Sequence, residues 1–363
     1  MVSDKRRADR AGIVVDDALG ALQTFAARHR ARYKLPLLAI TGSCGKTTSK
    51  DMIAALLEPR YTVVKTQGNL NNEIGCPLSL LRIDGDTERA IIEMGANHAG
   101  EVARLCAIAR PEEAAVTMVG SAHLEGFGSI EDVAEAKGEI VAGLPKHGLF
   151  YVNADDPRCV RMAESHAGRK VYFGSGAAVP DARLDVRLKQ CRYDASGDLV
   201  LDVNPVGRLR LPLPIRAQAA SAVLAIAVGL QHRITNFEAP LRAACLQAAR
   251  GRMVQVGPLS VLDDTYNANP SSMAAALEAL CGRPGGGNRM AALGAMLELG
   301  DAAEALHGEV GERAAAAGVT HLFARGPHAH AMISAARANG VAHAEVIEEH
   351  EAMAAAIQSA AAP

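Results

Sequence analysis

From residue 35 onward the chain alternates short apolar runs with longer amphipathic stretches. Leu35-Pro36-Leu37-Leu38-Ala39-Ile40 is apolar throughout and stops at Thr41-Gly42, which reads as a buried strand meeting a turn. Residues 46–57 then carry helical periodicity. Strand-like runs recur at 61–65, 90–93, 114–119 and 149–152, with helical segments between them. Strands alternating with helices predict crossover units and a mostly parallel sheet covered on both faces. Upstream, residues 16–32 read as an amphipathic helix entered through Asp16 and Asp17.

The pattern changes at 184–213. Leu184-Asp-Val-Arg-Leu, Leu199-Val-Leu-Asp-Val and Leu209-Arg-Leu-Pro-Leu alternate apolar and polar residues, separated by Ser196-Gly197 and Pro205-Val206-Gly207. Such segments predict antiparallel strands appended to the parallel sheet. An alanine-rich helix follows at about 216–230. After Arg252 the alternation restarts, with strands at 259–262, 290–293 and 321–324, helices from Pro270 and near 303–316, and helices to the end. The expected fold class is α/β: a central P-loop ATPase-like parallel-sheet domain over 34–254, then a Rossmann-like α/β domain over 255–363, with 1–33 as a linker helix.

Composition narrows the function. A chain of 363 residues suggests about two domains, and 49 % apolar residues fill sizeable cores. A formal net charge of −2 provides no field for nucleic acid or anionic membrane. Without tryptophan, and with 3 % aromatics, the chain lacks stacking platforms for single strands. No apolar run reaches the ~18 residues of a membrane span. The polar stretch 1–10 lacks the apolar core of a signal peptide, and seven scattered cysteines read as reduced cytosolic thiols.

The chemistry concentrates at Thr41-Gly42-Ser43-Cys44-Gly45-Lys46-Thr47-Thr48, between a strand and a helix. Glycines let backbone N–H groups approach phosphate oxygens, a lysine neutralises the β/γ charge, and the next hydroxyl holds magnesium. The loop is shortened, since Ile40 stands where the longer pattern has its first glycine. Glu93, at the carboxyl end of an apolar strand, suits a magnesium ligand or a solvated strand end. His123 follows the next strand and could face the same crevice or be structural. Lys137, on a predicted helix, reads by composition as a surface lysine. The loop Gly68-Asn69-Leu70-Asn71-Asn72-Glu73-Ile74-Gly75 can line a substrate crevice or simply turn the chain. Asp263-Asp264-Thr265-Tyr266-Asn267-Ala268-Asn269-Pro270 offers carboxylates and amides, or a helix cap.

Taken together, these segments resemble the Mur ligase family, in its branch that adds D-alanyl-D-alanine. Carrying the likeness are 41–48, 68–75, Ile92-Glu-Met-Gly-Ala-Asn-His98, Ala122-His-Leu-Glu-Gly-Phe-Gly-Ser129, Ala136-Lys-Gly-Glu-Ile140, Asn153-Ala-Asp-Asp156, 263–270 and Met296-Leu-Glu-Leu-Gly300. The resemblance implies a cytoplasmic, monomeric ligase using ATP and Mg²⁺ to join D-alanyl-D-alanine to UDP-MurNAc-tripeptide through an acyl phosphate, in peptidoglycan synthesis. It implies that residues 42–48, Asp264 and Asn267 bind nucleotide, and that Asn69, Asn71 and Asn72 bind substrate. Thr47, Glu93, His123 and a carbamylated Lys137 would serve metal, with Lys46 and Arg252 on the phosphates. Departures are Ala217-Gln218 for a His-Asn pair, Met118 for an asparagine and Ala295 for an aspartate. Most of the family's uridine-binding N-terminal domain and its extreme C-terminus are missing from the match. Two other readings stay open: a ligase with a different acceptor, and a nucleotide-binding fragment without turnover.

Overall fold

The computed structural model describes residues 2–3, 13–121, 124–180, 183–247 and 251–361. The chain forms two compact units: Met1–Val119, Glu131–Leu188 and Ala220–Ala244 in the first, Gly120–Ile130, Lys189–Ala219 and Cys245–Pro363 in the second.

In the first unit helix α1 (Ala18–Arg30) starts at Asp17, whose carboxylate accepts the Gly20 N–H at 3.0 Å. Six parallel strands follow: β1 (Leu37–Thr41), β2 (Val63–Lys65), β3 (Arg89–Glu93), β4 (Glu113–Val116), β5 (Leu149–Asn153) and β6 (Arg169–Gly174). They lie in the order β6-β5-β4-β1-β3-β2. The order reverses at β1, so a crevice opens beyond the carboxyl ends of β1, β3 and β4, where ligands bind in such sheets. Every residue of β1 and β5 is buried, as expected of strands covered on both faces.

Helices α2 (Lys46–Leu57), α3 (Gly75–Leu80), α4 (Glu101–Ala109), α5 (Ile130–Ala142) and α6 (Pro157–Glu164) connect the strands. On α5, Val133, Ala136, Lys137, Ile140 and Val141 form one buried stripe at helical spacing. Helix α7 (Ala219–Gln231) is apolar on all sides, and Ala222–Val228 are at most 1 % exposed, which makes it a core helix. It begins after a 3₁₀ turn at Arg216–Gln218, later than the alanine-rich run suggests. Helix α8 (Glu238–Gln247) follows.

Strand β7 (Val186–Tyr193) enters beside β6, with Val186 opposite Phe173. β8 (Leu199–Asn204) and β9 (Gly207–Leu211) form an antiparallel hairpin, with Leu199 opposite Leu211 and Leu201 opposite Leu209. Their alternate residues are buried, as the period-two pattern predicts.

The second unit also contains β10 (Arg252–Val256) and β11 (Leu259–Asp263), a parallel sheet of β12 (Met290–Leu293), β13 (His321–Ala324) and β14 (His343–Val346), and helices α9 (Pro270–Gly282), α10 (Ala303–Ala317), α11 (Ala329–Ala338) and α12 (His350–Ala361). Met273, Leu277, Val310, Leu322 and Met332 are among its core residues. Three expectations need correction. The run at 259–262 pairs antiparallel with β10 across Gly257 (φ 55°), so it is a hairpin arm and does not open the parallel sheet. β14 lies where only helices were expected, because four residues between polar flanks give little periodic signal. β6 was not anticipated: its charged start, Arg169-Lys170, hides a strand whose apolar residues occupy only its middle and end. Among the described residues no helix is long and apolar enough to cross a membrane.

Candidate phosphate and metal site

The first unit builds the site at the end of β1. Gly42 has φ +141°, and a Cβ there would lie 2.0 Å from Thr117 Oγ1 and 3.1 Å from two backbone atoms. Only glycine lets the loop pass so close to the chain that leaves β4. Gly45 (φ +84°) is the residue before α2, and a Cβ on it would press to 3.3 Å from Ser221 Oγ. Ser43 N–H donates to Met118 C=O at 2.9 Å, and Thr117 Oγ1 donates to Cys44 C=O at 2.5 Å. These bonds lash the loop to the 117–118 segment, which is why β4 stops at Val116 instead of running to 119. The first bond inside α2 is Ser49 N–H to Gly45 C=O, so the N–H groups of Thr47 and Thr48 have no acceptor within the helix. That cradle and the positive end of the helix fit a phosphate chain. Lys46 Nζ donates to Gly42 C=O at 2.7 Å, which folds the cation back over the loop.

Thr47 Oγ1 donates to Glu93 Oε2 at 2.9 Å, and Asn71 Nδ2 donates to Glu93 Oε1 at 2.8 Å. Glu93 is 1 % exposed, its backbone N–H bonded to Thr66 Oγ1. Lys50, 2 % exposed on the buried face of α2, stands 4.0 Å from the same carboxylate and donates to Thr66 C=O at 2.8 Å. Burial lowers the Lys50 pKa, opposed by Asp51 and Glu93. A hydroxyl and a carboxylate are hard oxygen donors of the kind magnesium takes. Among the described residues no group of three or more His, Cys, Asp or Glu gathers as a metal site.

Lys137 is not the surface lysine that composition suggests: it is 2 % exposed. Its Nζ donates to Ala96 C=O at 2.9 Å. Burial, reinforced by the charge of Lys46, lowers its pKa from 10.5 to about 7, against the pull of Glu101 and Glu139. A neutral amine at that pH is nucleophilic toward CO₂. Glu139, two residues further along the helix, accepts Gly100 N–H at 2.6 Å and Ala103 N–H at 2.9 Å, so it caps α4.

The other predicted residues divide. Asn71 joins the Glu93 site, whereas Asn72 Oδ1 accepts Gly75 N–H at 2.9 Å and shapes the entry to α3. Asn69 is exposed and bonds Asn71 N–H through its carbonyl at 2.7 Å. His123 lies outside the described residues. On the second unit, Arg252 Nε bonds Asp263 Oδ2 at 3.3 Å across the β10–β11 pair. Asp264 is half-buried and Asn267 exposed, its side-chain oxygen accepting Ala268 N–H at 2.9 Å. Sequence reading missed Lys50 and Thr117. Lys50 was legible as a charge in phase with Ile53 and Leu57, the buried face of α2; Thr117 carries no local signal.

A glycine-cradled helix N-terminus beside a buried carboxylate, at the reversal point of a parallel sheet, defines a P-loop-type nucleotide-binding protein. Residues 40–229 match the Mur ligase middle domain, and 249–363 match the Mur ligase, glutamate ligase domain. The chain belongs to the Mur ligase family. It is 38 % identical over 340 residues to the UDP-N-acetylmuramoyl-tripeptide--D-alanyl-D-alanine ligase of Escherichia coli, covering 92 % of this chain and 74 % of that one. To the Bacillus subtilis enzyme of the same name it is 35 % identical, covering 84 % of this chain and 65 % of the relative. The MurF structure from Acinetobacter baumannii superposes with a TM-score of 0.86 at 29 % identity, over 99 % of this chain and 78 % of that one. MurF from Thermotoga maritima in complex with ADP gives 0.82 at 27 % identity, over 99 % and 81 %.

Proposed function

We propose that this chain is an ATP-dependent peptide ligase that joins D-alanyl-D-alanine to the terminal carboxylate of UDP-MurNAc-tripeptide, in the cytoplasm and as a monomer. The observation that carries the reading is the Gly42–Gly45 cradle beside Thr47, whose hydroxyl bonds the buried Glu93, in a chain 38 % identical to a ligase of that name. Bound ATP with Mg²⁺ supplies the phosphoryl group that turns the carboxylate into an acyl phosphate, from which the amine displaces phosphate.

The chain's own part is positioning and neutralisation of charge. Backbone N–H groups of 42–48 and the Lys46 ammonium hold the phosphates. Thr47 and Glu93 hold the metal, with Asn71 and Lys50 fixing the carboxylate. Lys137, with a pKa lowered to about 7 so that a large neutral fraction exists near neutral pH, forms the carbamate that the family pattern places there, and His123 serves the same metal function. The family pattern assigns Arg252 to the phosphates, Asp264 and Asn267 to the nucleotide, and Asn69 and Asn72 to the substrate side. Domains of 34–254 and 255–363, preceded by a linker helix in 1–33, complete this reading.

The test is phosphate release by the purified chain. The reading requires release that depends on both UDP-MurNAc-tripeptide and D-alanyl-D-alanine. Release with neither, or with unrelated carboxylates and amines only, rejects it.

A further inference from the structure

The segment Met296–Gly300, outside the phosphate and metal site, is built with unusual care. Met296 and Leu299 are buried while Leu297 between them is 73 % exposed, and Glu298 adopts φ +61°. A left-handed non-glycine residue stays only where its surroundings hold it. One holder is His307, which is fully buried on α10. Its Nε2 accepts Met296 N–H at 2.9 Å. A backbone N–H can only donate, so Nε2 carries the lone pair and Nδ1 the hydrogen. Nδ1–H then donates to Ala303 C=O at 2.6 Å. Burial lowers the pKa of this imidazole; its bond to Ala303 C=O opposes the shift, and the His328 ring 5.1 Å away adds to it. The loop in turn seats another segment: Glu298 C=O accepts Glu125 N–H at 3.1 Å, and a Cβ on Gly300 would touch Glu125 at 3.6 Å. Glu125 stands two residues after His123 in the chain.

We propose that His307 is a positioning residue: through Met296 and Glu298 it sets the 124–127 segment, which follows His123 in the chain. This rests on the ligase reading for its catalytic consequence, not for its structural part. The influence of His307 passes along two hydrogen bonds, Met296 N–H to its own Nε2 and Glu125 N–H to Glu298 C=O. Leucine at 307 fills the volume but leaves Met296 N–H buried without an acceptor, a costly state. Glutamine can offer Oε1 to Met296 and its amide hydrogens to Ala303.

The test compares wild type, His307→Leu and His307→Gln in the full chain. Hydrogen exchange read peptide by peptide should show, in His307→Leu, amides of both 295–300 and 124–128 exchanging about tenfold faster or more, with β12 and β13 unchanged. His307→Gln should restore most of the protection. In turnover, His307→Leu should lower kcat about tenfold or more while the KM for ATP stays within about threefold, because the phosphate loop is untouched. Faster exchange confined to 295–300, equal kcat in wild type and leucine variant, or a glutamine variant no better than leucine overturns the proposal. Wild type without any turnover defeats the ligase reading instead, and the coupled exchange of the two segments then still decides the role of His307.

Discussion

Thr47 Oγ1 and Glu93 Oε2 lie 2.9 Å apart, joining the first turn of α2 to the carboxyl end of β3. The bond is made with Glu93 already held by Asn71 and with the Lys50 ammonium at 4.0 Å. The carboxylate is thus held from α2 and from the 68–75 loop together. Glu93→Gln keeps the size and loses the charge. It should raise the Mg²⁺ concentration for half-maximal phosphate release about tenfold or more, with ADP affinity in the absence of Mg²⁺ nearly unchanged. Titrating Mg²⁺ against turnover checks this; an unshifted curve removes Glu93 from the metal.

Lys46 contacts its own loop and is half-buried, so it costs the fold little to remove. Lys46→Ala should lower kcat/KM for ATP by roughly 10²–10³-fold while changing stability by less than about 0.5 kcal/mol. Urea unfolding beside steady-state kinetics separates the two quantities.

Gly42 tests the cradle. Alanine would meet Thr117 Oγ1 at 2.0 Å and backbone at 3.1 Å, at φ +141°. Gly42→Ala should abolish nucleotide binding by calorimetry. Removing the hydroxyl as well, in Gly42→Ala/Thr117→Ala, should fail to restore it, because the backbone contact and the strained φ remain. Full rescue by the double variant would place the whole constraint on the hydroxyl.

Lys137 links pH to stability. Its folded pKa is about 7 against an ordinary 10.5. Below pH ~7 the amine is charged in both states, and the folded state bears the full cost of burying that charge. Between ~7 and ~10.5 the unfolded chain binds more protons, so folding stability rises with pH. Lys137→Met keeps the buried stripe of α5 and removes this slope. The stability difference between the two proteins should shrink as pH is raised from 7 to 10; a constant difference contradicts the depressed pKa. At fixed dissolved CO₂, a ¹³C carbamate signal should grow as pH rises through 7 and vanish in Lys137→Gln.

In the second unit, α10 and α11 cross at Gly311, where a Cβ would sit 2.1 Å from Met332 C=O. Backbone cannot yield as a side chain does, so Gly311→Ala should destabilise by about 1–3 kcal/mol or more. Alanine is the better helix former, and a stabilised variant would show that the helices slide apart freely.

The sequence alone determined what depends on neighbours along the chain: period-two strands in 199–211, helical stripes on α2 and α5, and a glycine-rich turn opening a helix at Gly45-Lys46-Thr47. Backbone sterics and side-chain spacing act over a few residues, and so are legible locally. Tertiary structure decided what depends on contacts across long stretches of chain. It buried Lys137 and thereby lowered its pKa, set Lys50 against Glu93, and brought Thr117 under the loop 73 residues before it. It also turned the 259–262 run into a hairpin arm and gave His307 the Met296 N–H as partner. The same lysine on a helix is a surface cation or a buried amine according to what the sheet places over it, because desolvation is a property of the surroundings and not of the residue.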